Sequence, residues 1–130
     1  MSSNAQALAR DAARCADLND LCRKGRLPSG RMVFTRNAIL ACSPDVADDA
    51  PSTLATLLVQ QSLARAVAGF AFEDTDDPHG ERDFGAFELG GARFFFKIDY
   101  FDSELLFGSE DPTNTELTQR VCTVMLASDY

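Results

Sequence analysis

Apolar positions near the N-terminus recur at a helical period. Leu8, Ala12, Cys15, Leu18 and Cys22 are spaced four, three, three and four apart, while Arg10, Arg14, Asp17 and Arg23 fall elsewhere on the wheel. This spacing predicts a helix over residues 4–24 with one buried stripe. Gly25, Pro28 and Gly30 end it in a loop. Residues 31–35 then read as a short strand and residues 36–42 as a further turn of helix. Ser43-Pro44 and the stretch 48–51 carry loop and helix-start signals. A second long helix is expected over residues 52–68, with Leu54, Leu57, Leu58, Leu63 and Val67 on a broad, well-buried face. Residues 69–72 are candidates to open a strand, and residues 73–83 form a polar loop.

The pattern then changes from helical period to alternation. Residues 84–89, Gly90-Gly91 and residues 92–100 predict a hairpin with a two-residue primed turn. That register sets Leu89 opposite Ala92, Phe87 opposite Phe94 and Gly85 opposite Phe96 on one face, with Ile98 continuing it. On the other face Glu88 meets Arg93 and Phe84 meets Lys97, and the opposite charges favour this register. Residues 101–112 read as a loop. Thr113-x-x-Glu116 matches a capping box, so a closing helix is expected to about residue 127, with Leu117, Val121, Val124 and Met125 on its stripe. The order helix, strand, helix, hairpin, helix predicts an α+β fold. Its antiparallel sheet has a central Gly-Gly hairpin packed against three main helices, all in a single domain over residues 1–130.

Composition narrows the class. A domain of 130 residues buries roughly two-thirds of its unfolded surface, enough for one core without staples. Hydrophobic and charged contents of 45% and 25% argue against disorder. No apolar run approaches the ~20 residues that cross a bilayer. The opening Met1-Ser2-Ser3-Asn4-Ala5-Gln6 lacks the basic start of a signal peptide, so a cytoplasmic location is expected. Cys15, Cys22, Cys42 and Cys122 form no C-x-x-C pair and have no histidine nearby, which argues against zinc and redox motifs. They read as structural thiols, and no cofactor is implied.

Charge separates along the chain. Residues 1–42 hold seven basic and three acidic side chains, a balance of +4; residues 43–72 stand at −2; residues 73–130 hold fourteen acids and four bases, a balance of −10. Such a field repels nucleic acid and attracts cationic partners over about a Debye length. Direct nucleic-acid binding is not expected, because no aromatic residues interleave with the basic ones.

Several strings add a resemblance. They are Asn19-Asp20-x-x-Arg23, Thr35-Arg36, Asp77-Pro78-His79-Gly80-Glu81-Arg82-Asp83-Phe84-Gly85, Lys97-Ile98-Asp99-Tyr100, Asp111-Pro112, and Arg120-Val121-x-Thr123-x-Met125-Leu126-Ala127 with a closing Tyr130. Together they resemble a proteobacterial domain of unknown function found on plasmids and other mobile elements, over nearly the whole chain from Leu18. The resemblance implies a genomic setting and no activity. The chain departs from that family's pattern at Arg82, where a second histidine is usual, and at Cys22, where an aromatic is usual. The first departure removes an imidazole that a metal site would need.

Two functional readings remain. The hairpin register brings the 79–83 loop and the 99–102 segment to the same open end, where His79, Glu81, Asp83, Asp99 and Asp102 could gather as an acid–base or metal site. The loop does not fit an EF-hand, since counting from Asp74 puts His79 where the turn glycine belongs. His79-x-Glu81 lacks the P-C-x-x-C of the zinc deaminases, and the glycines match no phosphate-binding motif. A small hydrolase using His79, Glu81, Asp83 and Asp99 is therefore the alternative. The favoured expectation is an interaction protein that docks on a basic host protein, such as a nucleic-acid-binding defence effector, in the manner of anti-CRISPR or anti-restriction inhibitors. Its docking acids would be Asp74, Asp76, Asp77, Glu81, Asp102, Glu104, Glu110 and Asp111.

Overall fold

The Gly90-Gly91 turn sets the frame of the sheet. Both glycines have positive φ, 59° and 84°, which L side chains tolerate poorly and a primed turn requires. The flanking strands pair Phe84 with Lys97, Gly85 with Phe96, Glu88 with Arg93 and Leu89 with Ala92, the register expected. Gly85 is glycine for a steric reason: a Cβ there would lie 2.4 Å from the Phe96 ring and 2.8 Å from the Phe70 ring.

The computed structural model describes residues 3–42, 54–73, 75 and 77–130. Helix α1 spans Ser3–Arg23, strand β1 Gly30–Phe34, helix α2 Arg36–Cys42 and helix α3 Leu54–Ala68. Strands β2 (Phe84–Leu89), β3 (Ala92–Phe101) and β4 (Gln119–Leu126) follow, and a 3-10 turn covers Ala127–Asp129. The four strands form one sheet in the order β1-β4-β3-β2. β1 runs parallel to β4, and the other pairings are antiparallel. The fold is α+β, and among the described residues three helices lie on a mostly antiparallel sheet.

The largest correction concerns the closing helix. Residues 119–126 form β4 instead, inserted between β1 and β3. Leu117, Val121, Val124 and Met125 fit a helical stripe, but Arg120, Cys122 and Val124 alternate with Val121 and Thr123, and the β-branched residues favour a strand. Arg120, Cys122 and Val124 are fully buried on the helix-covered face, and Leu117 is exposed. The capping box does not form. Asp111 Oδ1 accepts instead from Thr113 N at 3.1 Å and Thr113 Oγ1 at 2.6 Å, and Asn114 Oδ1 accepts from Glu116 N at 2.9 Å. These local bonds hold a turn where a helix was expected.

The core lies between the sheet and the helices. Cys22 of α1, Ala38 of α2, and Leu63 and Val67 of α3 pack on Phe94, Phe96, Ile98, Cys122 and Val124. Burial of α3 is narrower than its sequence suggested: Leu54, Leu57 and Leu58 are 71%, 52% and 53% exposed. Residues 69–72 do not open a strand. Their Phe70 and Phe72 rings meet each other and Phe96 edge-on, at centroid distances of 4.8, 5.2 and 6.0 Å. The loop and helix-start signals at residues 43–51 lie outside the described residues. Among those described, no helix is long and apolar enough to cross a membrane.

Candidate protein-interaction site

One end of the sheet gathers most of the polar chemistry. The strand directions bring the 25–29, 77–83 and 102–118 loops there, because β1, β2 and β4 begin at this end and β3 finishes at it. Helix α1 lies over it and contributes Asn19, which is fully buried. Asn19 Nδ2 donates to the Glu81 carbonyl at 2.9 Å and to Tyr100 Oη at 2.8 Å. Its Oδ1 accepts from Arg120 Nε at 2.8 Å.

Arg120 is itself fully buried at the start of β4. Its Nη2 donates to the Pro112 carbonyl and to Cys15 Sγ, the latter at 3.4 Å. The guanidinium sits 5.0 Å over the Tyr100 ring, a cation–π contact that is strongest where water is excluded. Burial, followed by the hydrogen bond with Cys15, pushes the Tyr100 phenol well above its ordinary value. Its hydroxyl therefore stays protonated and donates to Asp83 Oδ2 at 3.4 Å. This network ties α1 to both acidic loops.

A second cluster borders it. Arg82 adopts φ 54°, a left-handed conformation uncommon outside glycine. Its backbone N–H donates to Asp77 Oδ1 at 2.9 Å, and its guanidinium lies 2.8 Å from Asp20 and 3.4 Å from Asp17. Arg23 binds the same Asp20 at 2.7 Å. Burial alone would raise the Asp20 carboxyl, but hydrogen bonds from Arg23 and Arg82 outweigh it and hold the group below its ordinary value. Beside these residues Phe70, Phe72, Glu73 and Asp77 complete a polar cavity of about 520 Å³.

The third part is the 102–108 loop. Asp102 N donates to the Phe107 carbonyl at 2.7 Å, and Asp102 Oδ1 accepts from Glu104 N at 3.2 Å and Leu106 N at 3.0 Å. Leu105 takes φ 61°, and Phe101 bridges to Gly108. The closed loop leaves Leu106 and Phe107 67% and 72% exposed. Glu104, Glu110 and Asp111, close to them in sequence, are exposed as well. Among the described residues, no ion pair involves Asp102, Glu104, Glu110 or Asp111.

A model of a protein family of unknown function, DUF3768, matches residues 44–129. The chain belongs to this family. No curated protein and no solved structure matches it. The matched span begins after β1 and α2, yet Arg120 within it depends on Asn19 and Cys15 of α1 outside it.

In this DUF3768 chain the candidate site residues do not converge. Asp83 meets the Tyr100 hydroxyl on the helix-covered side, whereas Asp99, one strand position away from Tyr100, turns outward and pairs with Lys97 at 3.0 Å. His79 is exposed in the turn after Pro78, and Glu81 is held through its backbone carbonyl. No group of three His, Cys, Asp or Glu side chains among the described residues is placed to hold a metal ion. Of the docking acids, Asp74 and Asp76 lie outside the described residues. Asp77, Asp102 and Asp111 accept backbone hydrogen bonds that shape their own loops. Glu104 and Glu110 are exposed and, among the described residues, form no ion pair. Reading by charge alone passes over Leu106 and Phe107, although Leu105-Leu106-Phe107, three consecutive large apolar residues in an acidic loop, are visible in the sequence.

Proposed function

We propose that this protein acts by binding another protein, with the acidic end of its sheet docking on a basic surface. The observation that carries the reading is the 102–108 loop, which holds Leu106 and Phe107 out to solvent in a stretch of chain that also exposes Glu104, Glu110 and Asp111. Apolar side chains of this kind supply affinity once desolvated, and surrounding charges steer the encounter. The partner class that fits is a nucleic-acid-binding host protein, whose phosphate-binding surface would accept carboxylates in place of phosphates. An anti-CRISPR or anti-restriction inhibitor from a mobile element, acting in the cytoplasm, is the form this function takes.

The experiment is a capture from host lysate with wild type, Phe107→Ser and a Glu104→Lys/Glu110→Lys double variant. A basic protein retained by wild type, and lost with both variants while they remain folded, is the expected result. Retention of the same proteins by all three would remove the reading. The hydrolase alternative has less support, since Asp83 and Asp99 point to opposite sides of the sheet.

A further inference from the structure

We infer that the chain associates with a second copy of itself, the 102–108 loop of one copy seating in a basic-rimmed apolar groove of the other. This rests on the reading of that loop as a docking element and adds a receptor for it. The groove lies between the end of α1, the edge strand β1 and helix α3, with a volume of about 580 Å³. Met32, Phe34 and Leu57 supply its apolar surface, and Arg23, Lys24 and Arg65 its charge. Among the described residues, no acid lines it. That is unusual in a chain with 20 acids and 12 bases.

The groove and the loop are chemical complements. Arg23 is already engaged with Asp20 and the Val67 carbonyl, but Lys24 and Arg65 are exposed and form no ion pair among the described residues. They would face Glu104 and Glu110, while Leu106 and Phe107 cover Leu57, Met32 and Phe34. The cavity falls within the range of about 300–1,000 Å³ typical of small-ligand sites, room for two side chains and not for a domain. Because the contact joins two different surfaces, it either exchanges loops reciprocally or propagates from copy to copy. It also hides the loop, so self-association competes with binding of another protein.

Sedimentation equilibrium tests this. Wild type should rise above the 14.2 kDa of the monomer as concentration increases and return to it in high salt, as screened charges require. Phe107→Ser, Arg65→Glu and Lys24→Glu should each stay monomeric, with circular dichroism confirming the fold. Mixing Phe107→Ser with Arg65→Glu should restore a dimer, because the intact groove of the first accepts the intact loop of the second. A wild type that remains monomeric, variants that associate as wild type does, or a mixture that stays silent would overturn the inference. Arg65→Glu keeps the loop, so it separates this inference from the proposed function. If wild type is monomeric but captures a basic partner through Phe107, only self-association fails.

Discussion

Asn19→Ala should be among the most damaging single changes in this protein. It removes the acceptor of Arg120 Nε and the donors to the Glu81 carbonyl and to Tyr100 Oη, all within 2.9 Å. Two neutral hydrogen bonds are worth about 1 kcal/mol each and the charge-assisted one about 2 kcal/mol, because the buried guanidinium is left under-satisfied. The loss is therefore about 4 kcal/mol, against a total of roughly 6–20 kcal/mol for a domain of this length. At about 3 °C per kcal/mol, thermal melting should fall by roughly 12 °C. Urea unfolding should show a lower midpoint with an unchanged slope, since the surface exposed on unfolding hardly differs. Asn37→Ala is the control, because it breaks an exposed hydrogen bond to Asp129 and should cost within about 0.5 kcal/mol. An Asn19→Ala protein less than about 1 kcal/mol weaker than wild type would refute the view that the network holds the loops.

Other expectations follow from the same geometry. Replacing Gly90 and Gly91 with valine forces positive φ on β-branched residues, and melting should show a loss of well over ~1 kcal/mol. Val124→Asp puts a charge at a fully buried position, and the protein should fail to fold as judged by near-ultraviolet circular dichroism. Burial raises the thiols of Cys22 and Cys42 and lifts that of Cys122 to about 12. Cys42, the least buried of the four, should react first with a thiol reagent in the native state, and four thiols should count on denaturation. The folded Asp20 carboxyl titrates below its unfolded value, so its stabilising contribution is complete above the ordinary carboxylate range and disappears as pH falls through the depressed value. Stability measured against pH should lose part of its acid limb in Asp20→Asn.

The legible parts of the fold were those with a strictly local cause. The Gly-Gly turn determined the hairpin register, in which Glu88 does stand opposite Arg93. The Arg93 guanidinium nevertheless lies over the Phe95 ring and, among the described residues, makes no ion pair. The stripe Cys15, Leu18 and Cys22 determined the inward face of α1. β4 reads as a helix in the sequence because Leu117, Val121, Val124 and Met125 satisfy a helical spacing while Arg120 looks like a surface residue. Only the tertiary partners Asn19, Cys15, Pro112 and Tyr100 make a buried arginine tolerable there. The acidic asymmetry was visible in the sequence, but its gathering at one sheet end depends on strand direction. The separation of Asp83 from Asp99 was available in principle, since the even position Ile98 faces the core and its odd neighbour must face away.

The central claim is that unpaired carboxylates at this end of the sheet steer a basic partner. The most direct measurement is the association rate of wild type and of Glu104→Lys/Glu110→Lys with the captured protein in purified form, over a range of salt concentrations. These two acids are the ones to reverse because Asp77, Asp102 and Asp111 shape their loops. Wild type should bind with an on-rate that falls steeply with salt, and the variant should bind slowly at every salt concentration while melting as wild type does. A salt-independent on-rate, or a folded variant that associates as fast as wild type, would contradict it.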